Sequence, residues 1–265
     1  MAGVSYFLSD LHISSGDEPR TRRLLALLDE MAADAESIYL VGDVFDFWLG
    51  YKSVIFSEYY PLLRTLETLV QRGVNVVIFS GNHDPDPGPF FRKINVVVKE
   101  QATGLKLDKH NIWLDHGDLI DPRSAWSRLI CRAARQPFLR RYARMVHPDL
   151  AWRLARLYGK KREGYTDPLP TELLTRYLPG KIKGGYDTVI IGHYHRAVAY
   201  QTTVKGVTGR LFALGDWVEQ RTYLKYDGTF QLLRDQGAGY APLVLTDGDH
   251  APDPKRPNSN KRLQG

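Results

Sequence analysis

Five short stretches carry residue types that hold metal ions: Asp10-X-His12, Gly42-Asp43, Gly81-Asn82-His83-Asp84, His116-Gly117 and Gly192-His193-X-His195. The donors are carboxylate, amide and imidazole, with no thiolate. That mixture suits Mn²⁺, Fe²⁺, Zn²⁺ or Co²⁺ and argues against a Cu(I) or iron–sulfur site. Residues at i and i+2 leaving a strand point to one side. Asp10 with His12, and His193 with His195, can therefore act as paired ligands. Glycines beside them allow sharp backbone turns. Any single stretch is weak evidence, since Asp-X-His is commonly a surface pair and Gly-Asn-His-Asp a turn. Five in order point to one site. His110, His147 and His250 lack such context and read as surface residues.

The elements that must position these residues are legible as apolar runs. Val4–Leu8, Ser37–Val41, Val74–Phe79, Asn111–Leu114 and Thr188–Ile191 each end in one of the stretches. Helical spacing over Arg20–Met31 and Tyr59–Val70 separates the first three. This alternation predicts an α/β sheet with buried strands, and ligands of such sheets gather outside the C-terminal strand ends. Four short antiparallel strands are expected over 198–234, with Asp227-Gly228 as a hairpin turn.

Together the motifs resemble those of the calcineurin-like metallophosphoesterases: Asp-X-His, Gly-Asp-X-X-Asp, Gly-Asn-His-Asp, His-Gly-Asp and Gly-His-X-His, over residues 4–196 with an insertion set aside. The resemblance implies a two-sheet α/β sandwich flanked by helices. It implies two divalent ions, with Asp10, His12 and His195 on one, Asn82, His116 and His193 on the other, and Asp43 bridging. Two ions ~3.5–4 Å apart clamp a phosphoryl group and lower the pKa of water. His83 is expected to protonate the leaving oxygen or hold transition-state charge, oriented by Asp46 or Asp84.

The longer stretch Gly42–Gly50 with Trp48, the helical insertion after His116-Gly117-Asp118, and Leu214-Gly215-Asp216-Trp217 are similar to the UDP-2,3-diacylglucosamine hydrolases of lipid A synthesis. That likeness implies Mn²⁺ and cleavage of the pyrophosphate of a UDP-linked diacyl sugar at the inner face of the membrane. The products would be lipid X, the 2,3-diacylglucosamine 1-phosphate, and UMP. Asn82, His83, Asp121, Arg140, Arg141, Arg144 and His195 are the expected substrate contacts. His83 stands where that family has Arg.

Composition fits this frame. The chain has 265 residues, 43% hydrophobic, and a net charge of +6. A basic excess favours an anionic partner, and it is concentrated between Arg123 and Arg162, where Asp149 is the only acid. Trp126, Phe138, Tyr142, Met145, Trp152 and Tyr158 interleave with those cations, a pattern of substrate or membrane-surface contact. The expected organisation is a core over 1–122 and 181–236, a helical lid over 123–180 and a flexible tail over 237–265. One cysteine, Cys131, and the absence of a signal-peptide pattern favour the cytoplasm, with a possible place on the inner membrane. The competing reading is a metal-dependent phosphodiesterase or nuclease whose basic lid holds a nucleic acid backbone.

Overall fold

A computed structural model describes residues 3–14, 18–122, 125–159, 169–237 and 239–242. The expectations for Arg123, residues 160–162, His250 and the tail beyond 242 lie outside them.

Strands β1 (Val4–Leu8), β2 (Ala35–Val41), β3 (Asn75–Phe79) and β4 (Val97–Lys99) run parallel in one sheet. Their near-continuous apolar sequences follow from cover on both faces. Tyr6 and Leu8 pack with helices α1 (Glu18–Met31) and α2 (Tyr60–Gln71), while Phe7, between them, faces a second sheet. Ile38 and Leu40 against Tyr39 and Val41 repeat this period-two division. A short α3 (Phe90–Lys93) precedes β4.

The second sheet contains β5 (Thr103–Leu107), β6 (His110–Asp115), β7 (Thr188–Ile191), β8 (Ala197–Val204) and β9 (Val207–Leu214), in the order β5-β6-β7-β9-β8. β10 (Thr222–Tyr226), β11 (Phe230–Asp235) and β12 (Tyr240–Pro242) return to the first sheet, β10 antiparallel to β1 and each next strand antiparallel to the one before. Ile112, Leu114, Ile190, Phe212 and Leu214 meet Phe7, Tyr39, Val77 and Phe79 between the sheets. The result is the α/β sandwich of two mixed sheets with flanking helices.

β4 and β5 were not legible in the sequence. β4 is three residues long, and β5 is an edge strand in which half-buried Thr103, Leu105 and Leu107 alternate with exposed Gly104 and Lys106. His110 is no plain surface residue: its Nδ1 lies 2.9 Å from an Asp187 oxygen, joining the starts of β6 and β7.

Helices α4 (Ala125–Ala134), α5 (Pro137–Ala143) and α6 (Pro148–Gly159) follow β6. α4 and α5 bury no residue. A π-helical turn, Leu173–Tyr177, leads into α7 (Leu178–Lys183). Leu169, Leu173, Leu174, Leu178 and Ile182 are buried against β7 and β9, so the helical stretch after 168 covers the second sheet. Among the described residues no helix is long and apolar enough to cross a membrane.

Candidate metal centre

The five stretches leave β1, β2, β3, β6 and β7 at their C-terminal ends. Asp10, His12, Asp43, His193 and His195 all have positive φ, from 44° to 70°. Non-glycine residues seldom adopt this conformation, which costs of order 1–3 kcal/mol each and clusters at functional sites. Neighbouring loops hold them there. The Asp10 and His12 amides donate to the carbonyls of Gly42 and Asp43, both at 3.1 Å. The His193 amide donates to Asp10 Oδ2 at 2.8 Å, and the His83 amide to Asp43 Oδ1 at 2.8 Å. Gly81 must be glycine, since a Cβ there would lie 2.1 Å from Asp43 Oδ1.

The side chains form two groups around Asp43. In the first, His12 Nε2 and His195 Nε2 are 3.1 Å apart, and His195 Nε2 is 3.3 Å from Asp10 Oδ1. In the second, Asn82 Oδ1 is 3.0 Å from His193 Nδ1 and 3.3 Å from His116 Nε2. Asp43 Oδ2 lies between, 3.9 Å from His12 Nε2 and 3.5 Å from His116 Nε2. All seven candidate ligands are therefore brought together.

Tautomers show what the groups are built for. His116 Nδ1 lies 2.9 Å from the Val41 carbonyl, so that nitrogen carries the proton and the neutral ring presents a bare Nε2. His12 Nδ1 donates likewise to Asp46 Oδ1 at 3.1 Å. Bare imidazole nitrogens then face carboxylate and amide oxygens, and Asp10 Oδ1 is buried without a hydrogen-bond partner. Convergent lone pairs in a buried pocket require protons or cations. Without cations, protons fill the role. Burial pulls the His116 pKa down, but Asp43, Asp10 and Asp118 outweigh it and hold it well above its ordinary value. Burial likewise lowers His195, while Asp10 raises it further than burial depresses it. Burial pushes the Asp43 carboxyl up, yet His116, His83 and His12 bring it well below the usual range. The donor set fits two divalent cations sharing Asp43.

The remaining site residues are placed differently from one another. His83 sits edge-on to His12, ring centroids 4.9 Å apart, with Nδ1 2.8 Å from the main-chain carbonyl of Asp46. That carbonyl orients the ring, while the Asp46 carboxylate serves His12. The Asp84 carboxylate accepts from the amides of Gly81, Asp43 and Val44 at 2.8, 3.1 and 2.7 Å. It ties two loops together, and burial and neighbouring Asp43 push its pKa up to about 6. Asp121 Oδ2 grips His193 from behind, 3.3 Å from Nε2. Arg140 and Arg144 rest on Asp86, and Arg140 also on Glu100 at 2.8 Å. Arg141 is exposed.

Sequence reasoning missed several supports. Ser9 Oγ bonds Asp10 Oδ2. Gln220 donates to the His195 carbonyl and accepts from the Ala197 amide. Trp217 and Trp48, flagged by motif alone, are buried struts: their amides donate to the carbonyls of Asp10 and His83, each at 3.1 Å. Arg135 reaches Asp118 and the Ser80–Gly81 carbonyls. Ser9, Gln220 and Arg135 did not stand out because single serines, glutamines and arginines carry no spacing signal.

A family model described as calcineurin-like phosphoesterase matches residues 5–197. A UDP-2,3-diacylglucosamine hydrolase of Pseudomonas aeruginosa is 27% identical over 226 residues, covering 83% of this chain and 94% of its own. The protein of that name from Azotobacter vinelandii is 29% identical over 235 residues, covering 85% and 95%. The crystal structure of a predicted phosphoesterase from Streptococcus pneumoniae aligns over 92% of this chain and 98% of its own, at 12% identity and a TM-score of 0.40. The family match runs through every loop that lines the centre, from Asp10 to His195, and the chain belongs to the calcineurin-like phosphoesterases.

Proposed function

We propose that this metal-dependent phosphoesterase hydrolyses the pyrophosphate of UDP-2,3-diacylglucosamine, giving 2,3-diacylglucosamine 1-phosphate and UMP. The observation that carries the hydrolytic reading is the convergence of bare nitrogens and carboxylate oxygens on two points that share Asp43. The substrate reading is supported by the likeness to named hydrolases over more than four-fifths of the chain.

Asp10, His12 and His195 would hold one cation and Asn82, His116 and His193 the other, with Asp43 placed to serve both. Divalent cations there, Mn²⁺ foremost, supply Lewis-acid polarisation of a phosphoryl group and a lowered pKa for water. With its Nδ1 proton committed to the Asp46 carbonyl, His83 can donate from Nε2 to the leaving phosphate oxygen, or hold transition-state charge, only as the doubly protonated imidazolium. Asp46 and Asp121 set the rings of His12 and His193, as carboxylates behind metal-ligating imidazoles commonly do.

Within the 123–180 segment, helices α4 to α6 over 125–159 recognise substrate and supply the apolar surface. They are docked beside the centre: Arg128 donates to the Asp121 carbonyl, and Arg144 to the Leu49 carbonyl at 3.3 Å. Trp126, Phe138, Tyr142 and Met145 are 59–75% exposed, a surface suited to acyl chains and to the inner-membrane interface. Phosphate recognition by Arg140 or Arg144 requires that they leave Asp86.

The test is turnover of UDP-2,3-diacylglucosamine, bis-p-nitrophenyl phosphate and a cyclic nucleotide with Mn²⁺ present. The expected result is kcat/KM highest for the lipid-linked pyrophosphate by several orders of magnitude. A preference for the cyclic nucleotide or for bis-p-nitrophenyl phosphate would sink the substrate assignment and leave the metal centre standing.

A further inference from the structure

Arg135 follows α4 directly and turns its guanidinium inward, leaving 12% of its side chain exposed. Its two terminal nitrogens grip both oxygens of Asp118 at 2.7 and 3.1 Å. Nη2 also donates to the carbonyls of Ser80 and Gly81, each at 3.3 Å. Asp118 stands two residues after His116, and Gly81 immediately precedes Asn82. One side chain of the helical segment thus joins the strand exits that carry two candidate ligands of a single cation.

We propose that Arg135 is a positioning residue. Through it the helical segment sets the affinity of the cation position lined by Asn82, His116 and His193. The proposal rests on the two-cation reading above.

Energetics favour a geometric role over a stabilising one. A buried ion pair regains little more than its desolvation cost, and apolar replacements are often neutral. Arg135 Nε is moreover buried without a hydrogen-bond partner. What the guanidinium provides is a planar fork of fixed donors. Four oxygens from two loops take their spacing from it. The loop is equally constrained on its other side, where the Gly81 amide meets Asp84 and the His83 amide meets Asp43. A shift of the Ser80–Gly81 carbonyls therefore moves Asn82 relative to His116. The first position, built on β1 and β7 exits, has no Arg135 contact among the described residues.

The test reads Mn²⁺ binding by equilibrium dialysis rather than turnover. Arg135→Met and Arg135→Lys are compared with wild type, and each is combined with His195→Ala or His116→Ala, which leave one position apiece. Arg135→Met should weaken the ion remaining in His195→Ala by roughly 10–100-fold, the usual effect of losing an outer partner. It should leave the ion remaining in His116→Ala within about twofold, as for independent sites. Arg135→Lys keeps the charge without the fork, and should show the same asymmetry if the Met variant does not fold. Equal weakening at both positions, or none at either, overturns the proposal. A wild type that binds fewer than two ions overturns the two-cation reading itself, and shows it without any Arg135 variant.

Discussion

At the strand ends, Asp10, His12, Asp43 and His116 are buried, and the donors interlock within 3–4 Å. In the helical segment, Trp126, Phe138, Tyr142 and Met145 stand largely in solvent. The first region is over-determined: each loop is pinned by amides or carboxylates of another, and left-handed backbone is retained. Among the described residues the second is attached through polar tethers and through Trp152, which stacks on Phe56 with ring centroids 4.6 Å apart and meets Tyr59 edge-on at 5.5 Å. Bond making at phosphorus needs groups fixed in place before substrate arrives. An acyl chain needs only apolar area, at about 0.8 kcal/mol per buried CH₂. Chemistry and substrate choice should therefore separate cleanly under mutation.

The largest break comes from Asp43→Ala, which removes the carboxylate lying between the two groups of side chains. It should leave at most one bound ion by metal analysis and no measurable hydrolysis of any phosphoester. Two ions and full activity in this variant would disprove the bridging role. His83→Ala tests the same region one step out. Metal content should stay unchanged while kcat falls roughly 10²–10⁴-fold, the usual span of proton-transfer assistance. Loss of metal would make His83 structural.

The helical segment should respond the opposite way. Replacing Trp126, Phe138 and Tyr142 with Ser should leave the melting temperature nearly unaltered, since exposed side chains rarely contribute more than about 0.5 kcal/mol. Turnover of bis-p-nitrophenyl phosphate should persist. KM for the diacyl substrate should rise, by tenfold for each ~1.4 kcal/mol of lost acyl contact. Equal losses on both substrates would mean that the segment merely supports the centre.

A smaller effect, confined to the centre, is its pH dependence without metal. His116 is held above its ordinary value, so its contribution to stability is full below about 6.5 and lost as pH rises through the raised value. Asp43 is held below the ordinary 3.8, so its contribution is present above that value and lost as pH falls through the lowered one. The metal-free protein should be most stable in the mildly acidic window between. Cations need the same imidazoles unprotonated, so the Mn²⁺-induced rise in melting temperature should grow from about pH 5 to 8, with proton release. Scanning fluorimetry with and without chelator checks this, and a pH-independent Mn²⁺ shift would contradict it.

The two regions were also unequally legible. Asp10-X-His12 and His193-X-His195 announce themselves because period two at a strand exit puts both side chains on one side. Parallel strands such as β3, legible as the run Val74–Phe79, stand out because both faces are apolar. What could not be read is contact between distant loops. That the Asp46 main-chain carbonyl meets His83 Nδ1, or that Asp84 serves three amides, depends on how β2 and β3 exits pack. In the helical segment the sequence shows charge and aromatic content, but not which arginines already have partners.

That uncertainty leads to the smallest expected effect, at Asp86. Its carboxylate receives Arg144 and lies 3.8 Å from Arg140 Nη1. The Asp86 carboxylate is buried, while each arginine keeps another acceptor, Glu100 or the Leu49 carbonyl, so losing the pair should cost on the order of 1–3 kcal/mol. Asp86 is followed by Pro87 and Gly88, and its Oδ1 accepts from the Gly88 amide at 3.0 Å. Asp86→Asn preserves that acceptor while removing the charge. If the arginines are tethers, the segment loosens. KM for the diacyl substrate should then rise about threefold to tenfold, each tenfold being 1.4 kcal/mol, with kcat on a small diester unchanged. If instead Asp86 competes with substrate phosphate for these guanidiniums, the same substitution frees them and KM should fall. The sign of the change separates the two roles, and we expect the rise. In this structure Arg140 also holds Glu100, which leaves the segment attached at a second carboxylate when Asp86 is neutralised.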